Sequence, residues 1–282
     1  MPPLTNHWRP MEMPPVSSRY CYWSVVDGRY TRMMETAIRS AREAGVREDF
    51  HVWCDKEVRG ATCHPAGEFD KAHYLFKLRF LQQAAGKLDA EYLVWIDADN
   101  YFVRDPGDLT RLLHHAPIHA TLESDACSPA NRRPDWWGCP LPAYASLMRK
   151  MGVKSSSIFN LNAGFWIVHR EAVDAVCRLA FSFWEECQKA GYVFTEEAPL
   201  AYAAHMLCGN PHLHTLAATH EYWASDWTGC YSRRLPDGLP WAFQDYFDGT
   251  RRLVNPCIVH AMRSKQAMCA ADGEPKVLAT QD

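Results

Sequence analysis

The run Tyr92 to Ile96 (YLVWI), closed at once by Asp97-Ala98-Asp99, constrains this chain more than any other stretch. An apolar run this short, with β-branched and aromatic residues, reads as a strand buried on both faces. Such strands belong to sheets that carry helices on either side. The neighbouring segments fit that frame. Tyr20 to Val26 (YCYWSVV) is a second buried strand, bounded by Asp27-Gly28, and Phe50 to Cys54 (FHVWC) a third. Between them, Met33, Met34, Ala37, Ile38 and Ala41 recur at helical spacing over Thr31 to Ala44. His73 to Ala85 reads as a helix with Leu75, Leu78, Phe80 and Leu81 inward.

Strand and helix in alternation predict an α/β fold with a mainly parallel central sheet flanked by helices. Ligands of such sheets bind beyond the carboxyl ends of the strands. Asp27 and the Asp97/Asp99 pair both stand at such ends. Further along, Ile118 to Leu122 and Gly164 to Val168 are expected strands, Leu141 to Met151 a short helix and Glu171 to Ala190 a long one. From Glu221 to Phe247 aromatic residues crowd among Gly, Pro, Asp and Ser with little periodicity, which reads as loop.

Composition removes several classes of function. A formal net charge of -3 over 282 residues leaves no excess of Lys and Arg to neutralise phosphates, which argues against a dedicated nucleic-acid binder. Eleven cysteines are scattered with no zinc spacing and read as free thiols, although Cys127 and Cys139 flank a Trp-rich loop and could pair in an exported protein. The N-terminal stretch lacks the apolar core of a signal peptide, and no run reaches the ~20 apolar residues of a membrane span. The expectation is a soluble, cytoplasmic protein.

Two carboxylates one residue apart after a buried strand are the sharpest chemical signal. In an ideal strand, positions i and i+2 share a face, so Asp97 and Asp99 can converge on one cation. Their plainer role is to cap the turn that follows. Hard divalent ions such as Mn²⁺ and Mg²⁺ take oxygen ligands and leave positions open for substrate phosphates.

The stretch YLVWIDADNYFVRDPGDL resembles the DxD region of GT-A glycosyltransferases, above all the glycogenin-like family 8. The resemblance runs in order from about residue 20 to 265. Val26-Asp27-Gly28-Arg29-Tyr30 is similar to the family's nucleotide-holding strand end, which assigns Val26, Asp27 and Tyr30 to the nucleotide. Lys77-Leu78 matches a Lys-Leu pair whose lysine faces the diphosphate. Asn162-Ala163-Gly164 resembles the Asn-x-Gly element at the donor sugar. His260 and Lys265 resemble the late His, third protein ligand of the metal beside Asp97 and Asp99, and the following diphosphate lysine.

The resemblance implies a GT-A fold: an N-terminal arm over 1–17, one catalytic domain over 18–265 and a tail over 266–282. Within the domain it implies a nucleotide-binding half, 18–125, and a sugar and acceptor half, 126–265. It implies a metal-dependent, retaining transferase that moves a sugar from a nucleotide diphosphate donor, UDP-linked by the resemblance, to a carbohydrate or other hydroxyl-bearing acceptor. Mn²⁺ or Mg²⁺ is the expected cofactor. Three positions depart from the family: Arg263 stands where a small residue is usual, Gln266-Ala267 follows Lys265 in place of Pro-Trp, and Glu196-Glu197 replaces an Asp-Gln pair. Glu196 or Glu197 is the candidate carboxylate beneath the anomeric carbon, with Asn162 orienting the sugar. The plainer role for the glutamates is a solvated helix start.

Trp136-Trp137 and the segment around Trp223, Trp227 and Trp241 offer an acceptor platform or, alternatively, core. Arg233, Arg234, Arg251 and Arg252 fit either an anionic acceptor or solvent. Two other functions use the same scaffold. A nucleotidyltransferase making a nucleotide sugar needs a Gly-rich basic loop, of which Asp27 to Tyr30 is a poor version. A sugar-binding module without catalysis is the non-enzymatic alternative.

Overall fold

A computed structural model describes residues 18–28, 30–112, 116–129, 131, 134–192, 194–208, 222–225 and 256–260, and the backbone of 231–235, 238–244 and 251–254. The central sheet is built from β1 (Ser18–Val26), β2 (Phe50–Cys54), β3 (Thr62–Pro65), β4 (Ala90–Ile96), β6 (Ile118–Asp125) and β9 (Phe159–His169), in the order β3-β2-β1-β4-β9-β6. Strand β5 (Asn100–Phe102) leaves this sheet to join β10 (Trp223–Ser225) and β14 (Ile258–His260) in a small second one. A two-stranded hairpin pairs β7 (Asp135–Trp136) with β8 (Cys139–Pro140), and β11 (Tyr231–Leu235), β12 (Gly238–Gln244) and β13 (Arg251–Val254) form an antiparallel sheet. The helices are α1 (Tyr30–Glu43), α2 (Phe76–Lys87), α3 (Leu141–Lys150), α4 (Val173–Lys189) and α5 (Glu197–Cys208).

The sheet is mixed, which corrects the mainly parallel expectation. Strands β3, β2, β1 and β4 are parallel, but β9 runs antiparallel to both of its neighbours, β4 and β6. Hydrophobic pattern reports burial and is blind to direction. The chain between β6 and β9 contains a helix, and a helix-containing connection reads as a parallel crossover although it equally well joins antiparallel neighbours.

Alternation along the strands divides the core in two. On β4, Leu93 and Trp95 face one layer while Val94 and Ile96 face the other. Helix α1 buries Met33, Met34, Ala37, Ile38 and Ala41 against the second layer, as its spacing predicts. On the opposite face α2, α4 and α5 pack together over a tryptophan cluster. Trp23 lies 4.6 Å from Trp95 and 5.6 Å from Trp166 between ring centroids, in edge-to-face contacts. Of these buried indoles, Trp95 lines the site described below.

Three local differences from the sequence reading have physical causes. Helix α2 starts at Phe76 and not at His73, because His73 and Tyr74 sit in left-handed backbone with φ of 58° and 57°. Helix α5 has no amphipathic stripe to betray it, since every residue from Glu197 to His205 is buried. The segment read as loop between Glu221 and Phe247 contains β10, β11 and β12. The nine described cysteines are free, Cys127 and Cys139 included. Among the described residues, no helix is long and apolar enough to cross a membrane.

Candidate functional site

Strand β4 ends at Ile96 and delivers Asp97 to the sheet's carboxyl edge, where its N–H still donates to Gly164 O at 3.0 Å. Asp97 and Asp99 then converge through a turn and not through a strand pleat. The Asn100 N–H and its side-chain amide donate to Asp97 O at 3.2 and 2.7 Å, closing the turn. The outcome is asymmetric: Asp99 is buried while the Asp97 side chain is 26% exposed. The indole N–H of Trp95, from the tryptophan cluster, donates to Asp97 Oδ1 at 2.9 Å and fixes its rotamer.

His260 completes the group from a distant part of the chain. Strand β14 pairs antiparallel with β5, setting His260 opposite Asn100. His260 Nε2 lies 3.0 Å from Asp99 Oδ1 and 3.8 Å from Asp97 Oδ2. One donor atom from each of Asp97, Asp99 and His260 falls within 4.8 Å of the others, close enough to share one metal ion. Two carboxylates with one imidazole suit a divalent cation of the Mn²⁺ or Mg²⁺ kind. Asn100 and Trp223 hold the frame: Asn100 also donates to Gly164 O at 3.1 Å and accepts from Trp223 Nε1 at 2.8 Å.

Gly164 explains itself in this frame. A Cβ there would lie 2.9 Å from His260 Cε1 and 3.0 Å from Nδ1, closer than real Cβ contacts allow. Glycine is therefore what lets the imidazole reach the aspartates. Replacing Gly164 with alanine is expected to displace His260 and weaken Mn²⁺ binding about tenfold, in the range of changes that misorient a metal ligand. Isothermal titration with Mn²⁺ alone checks this, and an unaltered affinity would sink it.

Beside the metal group lies a buried charge network. Lys77, on α2, is not a solvated helix lysine: its Nζ sits 2.8 Å from Asp97 Oδ1 and 2.7 Å from Glu196 Oε1, with 4.9 Å to the Trp95 ring. Burial pulls its pKa down, but the Asp97 and Glu196 carboxylates outweigh burial and hold it above the ordinary lysine range. Glu196 and Glu197 are likewise buried rather than solvated at the start of α5. Burial pushes the Glu196 carboxyl up to about 7 despite the opposing pull of Lys77. Its second oxygen, Oε2, is buried without a hydrogen-bond partner among the described residues.

Glu197 accepts from Ala163 N at 3.2 Å and from the Trp137 indole at 2.5 Å. Burial first, then the nearby Glu123 and Glu196 carboxylates, raise its pKa well above the ordinary value. Asn162 spends both ends of its amide inside the protein. Its Oδ1 accepts from Gly164 N at 2.9 Å and its Nδ2 donates to Glu123 Oε1 at 3.1 Å.

These groups line one cavity of about 830 Å³. Asp27, Tyr30, Lys77, Asp97, Asp99, Asn162, Ala163, Gly164, Glu196, Glu197 and His260 all border it. Asp27 is ion-paired with Lys71 at its rim. Val26 does not line it; it is buried against α1, and its neighbour Val25 takes the lining position. Lys265 and Trp227 lie outside the described residues, and Trp241 falls on β12. The Trp136-Trp137 pair splits: Trp136 is core against Tyr144 and Phe194, while Trp137 is exposed at the cavity.

Sequence reasoning passed over Glu123, Trp95 and Thr195, which also line the cavity. Glu123 carried a usable signal, an acid inside the apolar strand β6. Trp95 and Thr195 carried none. No protein-family model matches the chain, and no curated protein matches it significantly.

Proposed function

We propose that the chain is a divalent-metal-dependent glycosyltransferase, moving a sugar from a nucleotide diphosphate onto a hydroxyl-bearing acceptor. The observation that carries this reading is the Asp97, Asp99 and His260 group opening into a cavity shared with buried glutamates. Three donors within 4.8 Å, two of them carboxylates, fit a cation of the Mn²⁺ or Mg²⁺ kind with positions left for phosphate oxygens. Bound there, such an ion supplies Lewis-acid charge to a diphosphate leaving group.

The protein's own groups divide the remaining work. Asp27 and Tyr30, at the end of β1 and the start of α1, stand where a nucleoside fits beyond the strand ends. Lys77 neutralises Asp97 and Glu196 from below, and so tunes the ligand carboxylate rather than gripping phosphate directly. Glu196 borders the cavity with Oε1 held by Lys77, and acts as base towards an acceptor hydroxyl or as partner of a positive anomeric centre. Glu197 holds the Ala163 backbone in place by accepting from its N–H. A nucleotidyltransferase fits less well, because the loop after β1 presents the Asp27 carboxylate where a triphosphate needs cationic and N–H donors.

A screen of nucleotide sugars for Mn²⁺- or Mg²⁺-dependent hydrolysis tests the reading, because slow transfer to water identifies the donor without the acceptor. The expected result is release of a nucleoside diphosphate from one donor class only when metal is present. Failure of every donor, together with no metal-dependent binding of any nucleoside diphosphate, would overturn the proposal.

A further inference from the structure

Trp137 occupies a strained turn without packing into the apolar core. With Gly138 it forms the two-residue loop between β7 and β8, and both residues have positive φ, 53° and 77°. Hairpin loops of this kind favour Asn-Gly, since a bulky side chain is strained in left-handed backbone. The strain secures no core packing: the Trp137 side chain is 51% exposed, whereas Trp136 beside it anchors the hairpin. Among the described residues, positive φ outside glycine occurs only at His73, Tyr74 and Trp137. Tyr74 and Trp137 are also the two large aromatics that are exposed among the described residues, and both line the same cavity. Strained backbone that survives without a packing reason points to function.

The groups around Trp137 define what it can hold. Its indole N–H is committed to Glu197 Oε2 at 2.5 Å, which fixes the ring plane and leaves a face open. Glu123, Glu196, Glu197 and Asn162 share the wall, a polar set without cations apart from the lysines at Asp27 and Asp97. Lys71 is already ion-paired with Asp27, and Lys77 with Asp97 and Glu196, so the wall offers an anionic ligand no cation of its own, whereas an uncharged polyol needs none. A flat apolar ring face bordered by hydrogen-bond acceptors matches a pyranose, which presents C–H groups on its face and hydroxyls at its edge.

Resting on the glycosyltransferase reading, we propose that Trp137 is the acceptor-binding residue of this cavity and that the acceptor is a neutral saccharide stacked on its exposed indole face. The hydrogen bond to Glu197 links that platform to the carboxylate wall of the sugar site. A residue suited to the turn, such as Asn, would offer no such face.

Saturation-transfer NMR with a panel of neutral methyl glycosides and disaccharides, and with glucuronides as the anionic arm, tests this in the presence of UDP and Mn²⁺. The ring C–H protons of at least one neutral saccharide should be saturated by the wild-type chain, and those of the glucuronides should not. Trp137→Phe, which keeps a ring, should retain binding. Trp137→Asn, which suits the turn, should lose about tenfold or more in affinity while melting at the same temperature or higher. The proposal is overturned if no neutral saccharide binds the wild type, if Trp137→Asn binds as the wild type does, or if that variant melts markedly lower. Titration of UDP with Mn²⁺ separates the two readings: saccharide binding at Trp137 without any nucleotide binding would keep the platform and reject the transferase.

Discussion

Replacing Asp99 with alanine is expected to abolish Mn²⁺-dependent binding of a nucleoside diphosphate, a loss beyond the ~100-fold that even indirect damage to a metal site can cause. Asp99 is buried and lies 3.0 Å from His260, so its removal takes a charged ligand and also the partner that orients the imidazole. Two phosphates would then face the remaining carboxylates with no cation to offset them. Calorimetric titration of UDP with and without Mn²⁺ reads this directly. Unchanged Mn²⁺-dependent affinity in a folded variant would remove the metal assignment from Asp99.

The second large effect belongs to stability. Lys77→Met should destabilise the fold by ~3–5 kcal/mol, the usual cost of leaving a buried charge without its partner. The Lys77 and Glu196 side chains are only 6% and 3% exposed, so water cannot screen what the substitution leaves behind. Glu196 can relieve part of the cost by taking up a proton, because burial already pushes it up to about 7. The deficit should therefore be larger at pH 8 than at pH 5.5, because a carboxyl raised in the folded state and ordinary in the unfolded one costs stability as the pH climbs towards its folded pKa. Adding Glu196→Gln to Lys77→Met should recover part of the loss. Urea unfolding at the two pH values checks both statements, and a single variant as stable as the wild type would show that the pair carries no net burden.

What the sequence made legible was the framework of local pattern. Strands β1, β2 and β4 and helix α1 emerged from burial runs and helical spacing because those signals lie within ten or so consecutive residues. Asp97, Asp99, Gly164 and His260 were singled out in the sequence and are adjacent in space. Their reason for meeting was not legible: a turn latched by Asn100 brings the aspartates together, and no strand pleat does so. The direction of β9 was hidden because burial patterns carry no sign. The burial of Lys77 and Glu196 was hidden for another reason. Each looks like an ordinary charged residue on or beside a helix until its partner, from a distant part of the chain, is known. Tertiary pairing overrides the local preference of charged residues for water.

The pairing of His260 with Asp99 spans 161 residues of chain. Such a contact forms late, because the entropy of closing a long loop must be overcome before the contact can contribute. During synthesis at the ribosome, a nascent chain carrying Asp97 and Asp99 has the sheet edge but only two thirds of the metal group. A cation held by all three residues would therefore favour chains in which β14 has docked on β5 over those in which it has not.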